Sequence, residues 1–326
     1  MNRIAIRCLN KLRYIYSNKY PSPMSINIAD SDFFHYHYQG QQAGNYIKEL
    51  LIRNQPCMIS RLGSTELSAI ITYVNILNSK NILSSSLLYI QGKIGFFWWD
   101  ESVIHAMCNA SGFFPADRKF LYKFGEQMIQ DIQSVDVLGS WLDGENLISH
   151  FMKKAIRVPL VDLEPYYHLH PWSEVLQGKT VLVIHPFEHS IQSQYKKRKL
   201  LFKKAEILPD FELKTIKAVQ SIAGTHANFN NWFDALNYMC EQIANTQFDV
   251  AIIGAGAYGL PLAAFVKKLG KKAIHLGGAT QILFGIRGAR WDERPFFQNL
   301  FNEHWVRPLP SETPQNFTSV ENGCYW

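Results

Sequence analysis

Two stretches of this chain combine glycine, charge and hydroxyl groups at spacings that suit phosphate chemistry. The first is Gly254-x-Gly256-x-x-Gly259, which follows the apolar run Val250–Ile253 and opens a small-residue segment closed by Gly270. Glycines at a strand end let the backbone approach a ligand, and the free N–H groups of the following helix point at whatever binds there. The spacing is that of the dinucleotide fingerprint, but that fingerprint expects an acid after the next strand to hold ribose hydroxyls. Here the next strand ends Ile274-His275-Leu276-Gly277-Gly278. Three readings stay open: a cradle for a sugar nucleotide or other phosphate ligand, an NAD(P) or FAD site, and glycines that only let a strand pack on a helix.

The second stretch is Ser60-Arg61-Leu62-Gly63-Ser64-Thr65-Glu66. Cys57–Ile59 reads as a short buried strand, Gly63 as the turn, and Ser64 or Thr65 as the cap of a helix with Glu66 in its first turn. Arg61 offers a planar fork of donors matched to a diphosphate. Glu66 can accept from hydroxyls, bind a metal, or only complement the helix dipole.

These residues need a scaffold that brings strand ends together. Apolar runs at Val135–Asp143, Val158–Leu163, Lys179–Pro186 and Phe211–Val219 read as strands, alternating with helices at 101–110, 116–133, 191–204 and 229–245. With Val250–Ile253, Gly270 and Ala273–Leu276, the pattern is βαβ. It predicts an α/β, Rossmann-like, doubly wound and mainly parallel sheet with helices on both faces. The domain occupies 55–290, with an internal boundary, if any, near Gly178. An N-terminal lead-in spans 1–54, and an irregular tail spans 291–326. In such sheets ligands bind beyond the C-terminal strand ends. Those ends carry Gly139–Asp143, His185–Ser190, Val219–Gly224 and Gly277–Gln281 besides the two stretches above. Candidate phosphate and donor contacts are therefore Arg61, Gly63, Ser64, Ser190, Tyr195, Gly254, Gly256, Tyr258, Gly259, Gly277, Gly278 and Gln281. Gln194 and Arg198 flank Tyr195. Glu66, Asp143 and His185 are candidate catalytic groups, with Asp162 and Asp292 as further carboxylates able to deprotonate a hydroxyl. The aromatics Phe96–Trp99 read as a wall or lid, and they and Trp141 suit the flat face of a sugar ring.

Composition narrows the class. The 326 residues are 47% apolar and 18% charged, as in an ordinary globular protein. A net charge of +6 favours anionic small substrates or an acidic membrane surface, and no nucleic-acid-binding signature accompanies it. Five scattered cysteines without a C-x-x-C argue for reduced thiols, no zinc site and a cytoplasmic chain. No apolar run approaches the ~20 residues of a membrane span. The first sixteen residues instead suggest an amphipathic helix, with Ile4, Leu9, Leu12 and Ile15 opposite Arg3, Arg7, Lys11 and Arg13. It either lies on the inner face of a membrane or packs on its own domain. G-x-S-x-G, Walker A and H-E-x-x-H motifs are absent.

Ile59-Ser-Arg-Leu-Gly-Ser-Thr-Glu-Leu67 resembles the R-x-G-D-x-E-L signature of bacterial glycosyltransferases of the GT-D fold, and Leu269–Gly278 is similar to that family's closing βαβ unit. The likeness spans about 57–290 in order and kind, and it is sharp only in these two stretches. It implies a cytoplasmic enzyme of surface-glycan (polysaccharide) or glycoprotein biosynthesis. Such an enzyme transfers a sugar from a nucleotide-sugar donor to a glycan, lipid-linked or protein acceptor. In the family the Asp and Glu serve donor and metal, so the resemblance implies Mn²⁺ or Mg²⁺ held through Glu66. Ser64 stands where the Asp is expected, and a hydroxyl is a poorer ligand for these ions than a carboxylate. An NAD(P)-dependent oxidoreductase using the Gly254-x-Gly256-x-x-Gly259 turn and a non-catalytic nucleotide-binding scaffold of a glycan-assembly complex are the rival expectations.

Overall fold

A computed structural model of the chain describes residues 2–20, 35–225 and 227–326. Of the lead-in expected over 1–54, residues 1 and 21–34 lie outside the described residues. Among the described residues, seven strands form one sheet: β1 (Cys57–Arg61), β2 (Val137–Ser140), β3 (Ile156–Pro159), β4 (Thr180–His185), β5 (Glu212–Lys217), β6 (Val250–Ile253) and β7 (Lys272–His275). Their order is β3-β2-β1-β7-β6-β4-β5, and every pairing is parallel. The central strands are apolar at consecutive positions because both faces are covered. In β6, Ala251 and Ile253 enter one core while Val250 and Ile252 enter the other.

The helices are α1 (Arg3–Lys19), α2 (Gln41–Ile52), α3 (Ser64–Asn78), α4 (Ile82–Ile90), α5 (Glu101–Ala110), α6 (Arg118–Ile132), α7 (Glu188–Tyr195), α8 (Arg198–Leu201), α9 (Trp232–Ala244), α10 (Gly259–Lys268) and α11 (Ala279–Leu283). Helices α3, α5, α6, α9 and α10 cover one face, and α2, α7 and α11 the other. Connections that step toward β3 along the sheet cross the first face: β1 to β2, β5 to β6 and β6 to β7. The connection from β4 to β5 steps the other way and crosses the second face. A single crossover hand requires this division. The chain therefore leaves β6 and β4, which are neighbours, toward opposite faces. The same holds for β1 and β7, so the sheet parts into crevices at its C-terminal edge.

The structure refines several readings. The helix expected over 191–204 breaks into α7 and α8 at Lys196–Lys197, and the strand expected over Val158–Leu163 ends at Pro159 before a 3-10 turn. One sheet spans both sides of Gly178, since β1 pairs with β7. Helix α2, within the predicted lead-in, buries Ala43, Ile47 and Leu51 against the sheet. After Trp291 the backbone is short helices and 3-10 turns, yet Phe297, Trp305, Glu312 and Cys324 are buried. The chain's end thus packs back onto the α2–α7 face.

Candidate functional site

At the end of β1 the chain turns at Leu62 and enters α3 with Gly63 as its N-cap. Gly63 has extended backbone and offers no side chain, so neither Ser64 nor Thr65 caps the helix as expected. The Glu66 carboxylate folds back over Gly63 and occupies the space that a Cβ there would take. The first backbone bond of α3 runs from Leu67 N–H to Gly63 O at 2.9 Å. The amides of Ser64, Thr65 and Glu66 are left to the helix mouth, where the dipole favours an anion.

Beside them, Arg61 donates from Nε and Nη2 to Leu62 O at 3.2 and 2.9 Å. Trp141 Nε1 donates to the same carbonyl at 2.9 Å, and its ring centroid lies 5.0 Å from the guanidinium carbon. These contacts hold the guanidinium in place and leave Nη1 toward Gly277, where a Cβ would stand 3.2 Å away. Gly277 has a φ of +61°, which only glycine adopts at little cost. Among the described residues Arg61 forms no ion pair. Burial lowers its pKa from the usual guanidinium value. A second cation, Arg290, lies over the Tyr325 ring at 4.7 Å and pairs with Glu321. Burial opposes its charge, but Tyr325, Cys324 and Glu321 around it outweigh burial and raise its pKa.

The three glycines of the β6–α10 turn have different duties. Gly254 lies where strand ends meet, and a Cβ there would come within 2.6 Å of His185 Cδ2 and 2.7 Å of Gly277 O. Gly256 has a φ of +51°, and its position is otherwise open, so the backbone conformation is what demands glycine. Gly259 lets α10 press on β7: a Cβ would be 2.2 Å from His275 Nε2. Tyr258 stacks on Trp232 at 4.8 Å, and its hydroxyl meets Ser221 Oγ at 3.2 Å.

Together these loops enclose a cleft of about 1210 Å³, its open mouth included. All six strand-end loops contribute: Arg61–Glu66, Trp141, His185–Phe187, Val219–Ile222, Gly254–Tyr258 and Gly277, Gly278 and Gln281. The C-terminal segment adds Arg290, Glu321, Tyr325 and Trp326, and the α5–α6 loop adds Ser111 and Gly112. Sequence reasoning missed these last groups, because the C-terminal segment has no periodicity and Ser111 and Gly112 follow a helix rather than a strand end.

The two histidines enter the cleft uncharged. Burial pushes His185 down to about 3, and its Nδ1 accepts from Phe187 N–H at 3.0 Å. Its Nε2 therefore carries the proton, and the ring can donate but has no free lone pair. It cannot act as the expected general base in this arrangement. His275, also at about 3 through burial with Arg61 beside it, meets Ser60 Oγ at 3.0 Å through Nδ1. Gln281 donates to Ile286 O and Tyr325 O, while its buried Oε1 has no partner among the described residues.

Other predicted residues lie elsewhere. Asp143 is exposed and lines no part of the cleft. Ser190 is buried against Glu312, which accepts from its hydroxyl and from its amide at 3.2 Å. Tyr195 stacks on Phe211 at 4.5 Å and donates to its carbonyl at 2.8 Å. Gln194 donates to Gly285 O and His304 O, and Arg198 pairs with Asp210. Asp162 accepts from Gly40 N–H at 2.8 Å, and Asp292 pairs with Arg287 and Arg307. Phe97, Trp98 and Trp99 are buried and line no part of the cleft, whose aromatic lining includes Trp141, Tyr325 and Trp326.

Among the described residues, Glu66 and Glu321 are the carboxylates of the lining, and Glu321 is committed to Arg290. Among the described residues no three His, Cys, Asp or Glu side chains gather to hold a metal ion. One carboxylate beside Ser64 does not make a protein cage for Mn²⁺ or Mg²⁺. Compared with protein-family models, curated proteins and solved structures, the chain matches none.

Proposed function

We propose that this chain is a glycosyltransferase that moves a sugar from a nucleotide-sugar donor to an acceptor hydroxyl in bacterial surface-glycan or glycoprotein assembly. The observation that carries the reading is Arg61, a held guanidinium without an ion-pair partner among the described residues. It stands at the rim of a cleft next to the open amides of α3. A cation so placed favours a dianionic ligand, and its forked donors suit a diphosphate. Arg290, ion-paired with Glu321, lines the same cleft, and Gly254–Tyr258 bring backbone within reach of the same space.

The chemistry follows from these roles. The acceptor oxygen attacks the anomeric carbon as the bond from that carbon to the diphosphate oxygen breaks, and the diphosphate leaves with the electron pair. Arg61, Arg290 and the α3 amides stabilise the departing charge in a partly dry site. Glu66, which has no ion-pair partner among the described residues, takes the acceptor proton or orients the hydroxyl. Trp141 provides a flat apolar face for a sugar ring. The NAD(P) reading lacks the acid it needs, because β7 ends in His275, a neutral buried ring.

The test is nucleotide release from UDP-, GDP-, CMP- and dTDP-sugars, with and without Mn²⁺. Glu66→Ala should abolish turnover while keeping the wild-type melting temperature. Wild-type turnover in that variant removes Glu66 from the mechanism. Tight binding of a sugar nucleotide without release by the native chain replaces the enzyme with a nucleotide-binding scaffold.

A further inference from the structure

We infer that α1 and α4 together form a docking face for an anionic phospholipid bilayer. The two helices share a small core of Leu9, Tyr89, Phe97 and Trp98, separate from the two cores of the sheet. Asn10 accepts from the Tyr89 hydroxyl at 2.7 Å. Arg13 lies 4.4 Å over the same ring and donates to Ile94 O at 3.1 Å. Arg13 and Leu9 thus belong to the inner side of α1, whereas the sequence pattern put Arg13 with the solvated charges. The aromatic run after α4 is the seat of this helix pair on the domain, not a wall of the cleft.

The outer sides are unusual for helices packed on a domain. On α1, Ile4, Leu12 and Ile15 are exposed at 74%, 48% and 50%. On α4, Ile82, Leu83 and Leu87 are exposed at 66%, 82% and 56%. At 100° per residue, Ile4, Cys8, Leu12 and Ile15 form one strip along α1, and Arg3, Arg7 and Lys11 lie beside it. Residues 2–20 hold five lysines and arginines, residues 79–95 hold two, and neither segment contains an aspartate or glutamate. An apolar strip edged by cations with no carboxylate is the pattern of a helix lying in a lipid headgroup layer.

Charge also decides between occupants. A second copy meeting this face about a two-fold axis would set cations against cations, whereas acidic headgroups neutralise them. Among the described residues no helix is long and apolar enough to cross a membrane, so the contact is a lateral one. Helix α4 leads through Phe96–Asp100 into α5, whose end borders the cleft at Ala110–Gly112. The docking face and the cleft are therefore joined by a short run of packed structure, and the inference does not depend on what the cleft turns over.

The experiment is co-sedimentation of the full chain with vesicles of phosphatidylcholine alone and of phosphatidylcholine with phosphatidylglycerol. Binding is expected only to the second, reduced at least about tenfold by ~0.5 M salt. A Leu83→Asp/Leu87→Asp variant should lose binding by a similar factor while its circular dichroism and melting temperature match the native chain, because both positions are solvent-facing. An Arg7→Glu/Lys11→Glu variant should lose it too. Absence of binding to the acidic vesicles, or equal binding by the Asp variant, overturns the inference. A native dimer that the Asp variant makes monomeric assigns the face to a second copy and overturns it equally.

Discussion

His185 gives the account a sharp thermodynamic test. Burial holds its folded pKa at about 3 against 6.5 for an exposed imidazole. Because the folded value is the lower one, the native state binds fewer protons than the unfolded chain below pH 6.5. The ring costs nothing above that pH; its cost grows as the pH falls and levels off near pH 3. At about pH 5 the unfolded imidazole is almost fully protonated and the native one is not, a cost of about 2 kcal/mol. Raising the folded value by one unit barely changes this figure, since at pH 5 the native ring stays neutral either way. The whole chain will not display it directly. Burial pushes Glu164 up to about 7, so this carboxyl gains a proton in the native state as the pH falls and stabilises the fold over much of the same window. The measurement is therefore a difference. His185→Asn keeps an acceptor for Phe187 N–H and cannot titrate. Urea unfolding followed by tryptophan fluorescence at about pH 7.5 and pH 5 should show the variant losing about 2 kcal/mol less than the native chain between the two. Equal losses would refute the buried, neutral state of the ring, and with it the description of the cleft floor.

Two substitutions separate packing from placement. Gly259→Ala drives a Cβ to 2.2 Å from the buried His275 ring and should destabilise by about 1–3 kcal/mol in urea melts. Gly63→Ala meets only the far end of the Glu66 side chain, which can swing away. Its stability should change by less than about 1 kcal/mol, while transfer falls at least about tenfold because the carboxylate is displaced.

The sheet was legible in the sequence because its strands are short, continuous apolar runs punctuated by glycine. Val250–Ile253 and Thr180–His185 need no partner information to be read as buried parallel strands. The cleft's position at the strand ends followed from topology, and Arg61, Gly63, Ser64, Glu66, Gly254, Gly256, Tyr258, Gly277, Gly278 and Gln281 all line it. Failures arose where a distant segment decides the matter. Ser190 and Tyr195 read as phosphate contacts at a helix start, yet Glu312, 122 residues further on, takes Ser190, and Phe211 takes Tyr195. Arg290, Tyr325 and Trp326 reach the cleft from a segment without periodicity, where no local signal marks a functional side chain. Helix α4 was unreadable because Ser84-Ser85-Ser86 interrupts its apolar residues, and its exposed leucines match neither a buried face nor a solvated one.

The central claim is that Arg61 and its surroundings bind the diphosphate of a sugar nucleotide. Thermal unfolding of the native chain and of Arg61→Lys, with each sugar nucleotide and NAD(P)(H) at one common concentration about 100 times the native chain's dissociation constant for its preferred sugar nucleotide, tests it most directly. One sugar-nucleotide class should raise the native midpoint by about 4 °C, from about 2.7 kcal/mol of linkage over a chain of 326 residues. The lysine variant keeps the charge but loses the fork, and a tenfold weaker affinity would cut the shift to about 2 °C. Stabilisation by NAD(P)(H) alone, or an equal shift in both proteins, would contradict the account.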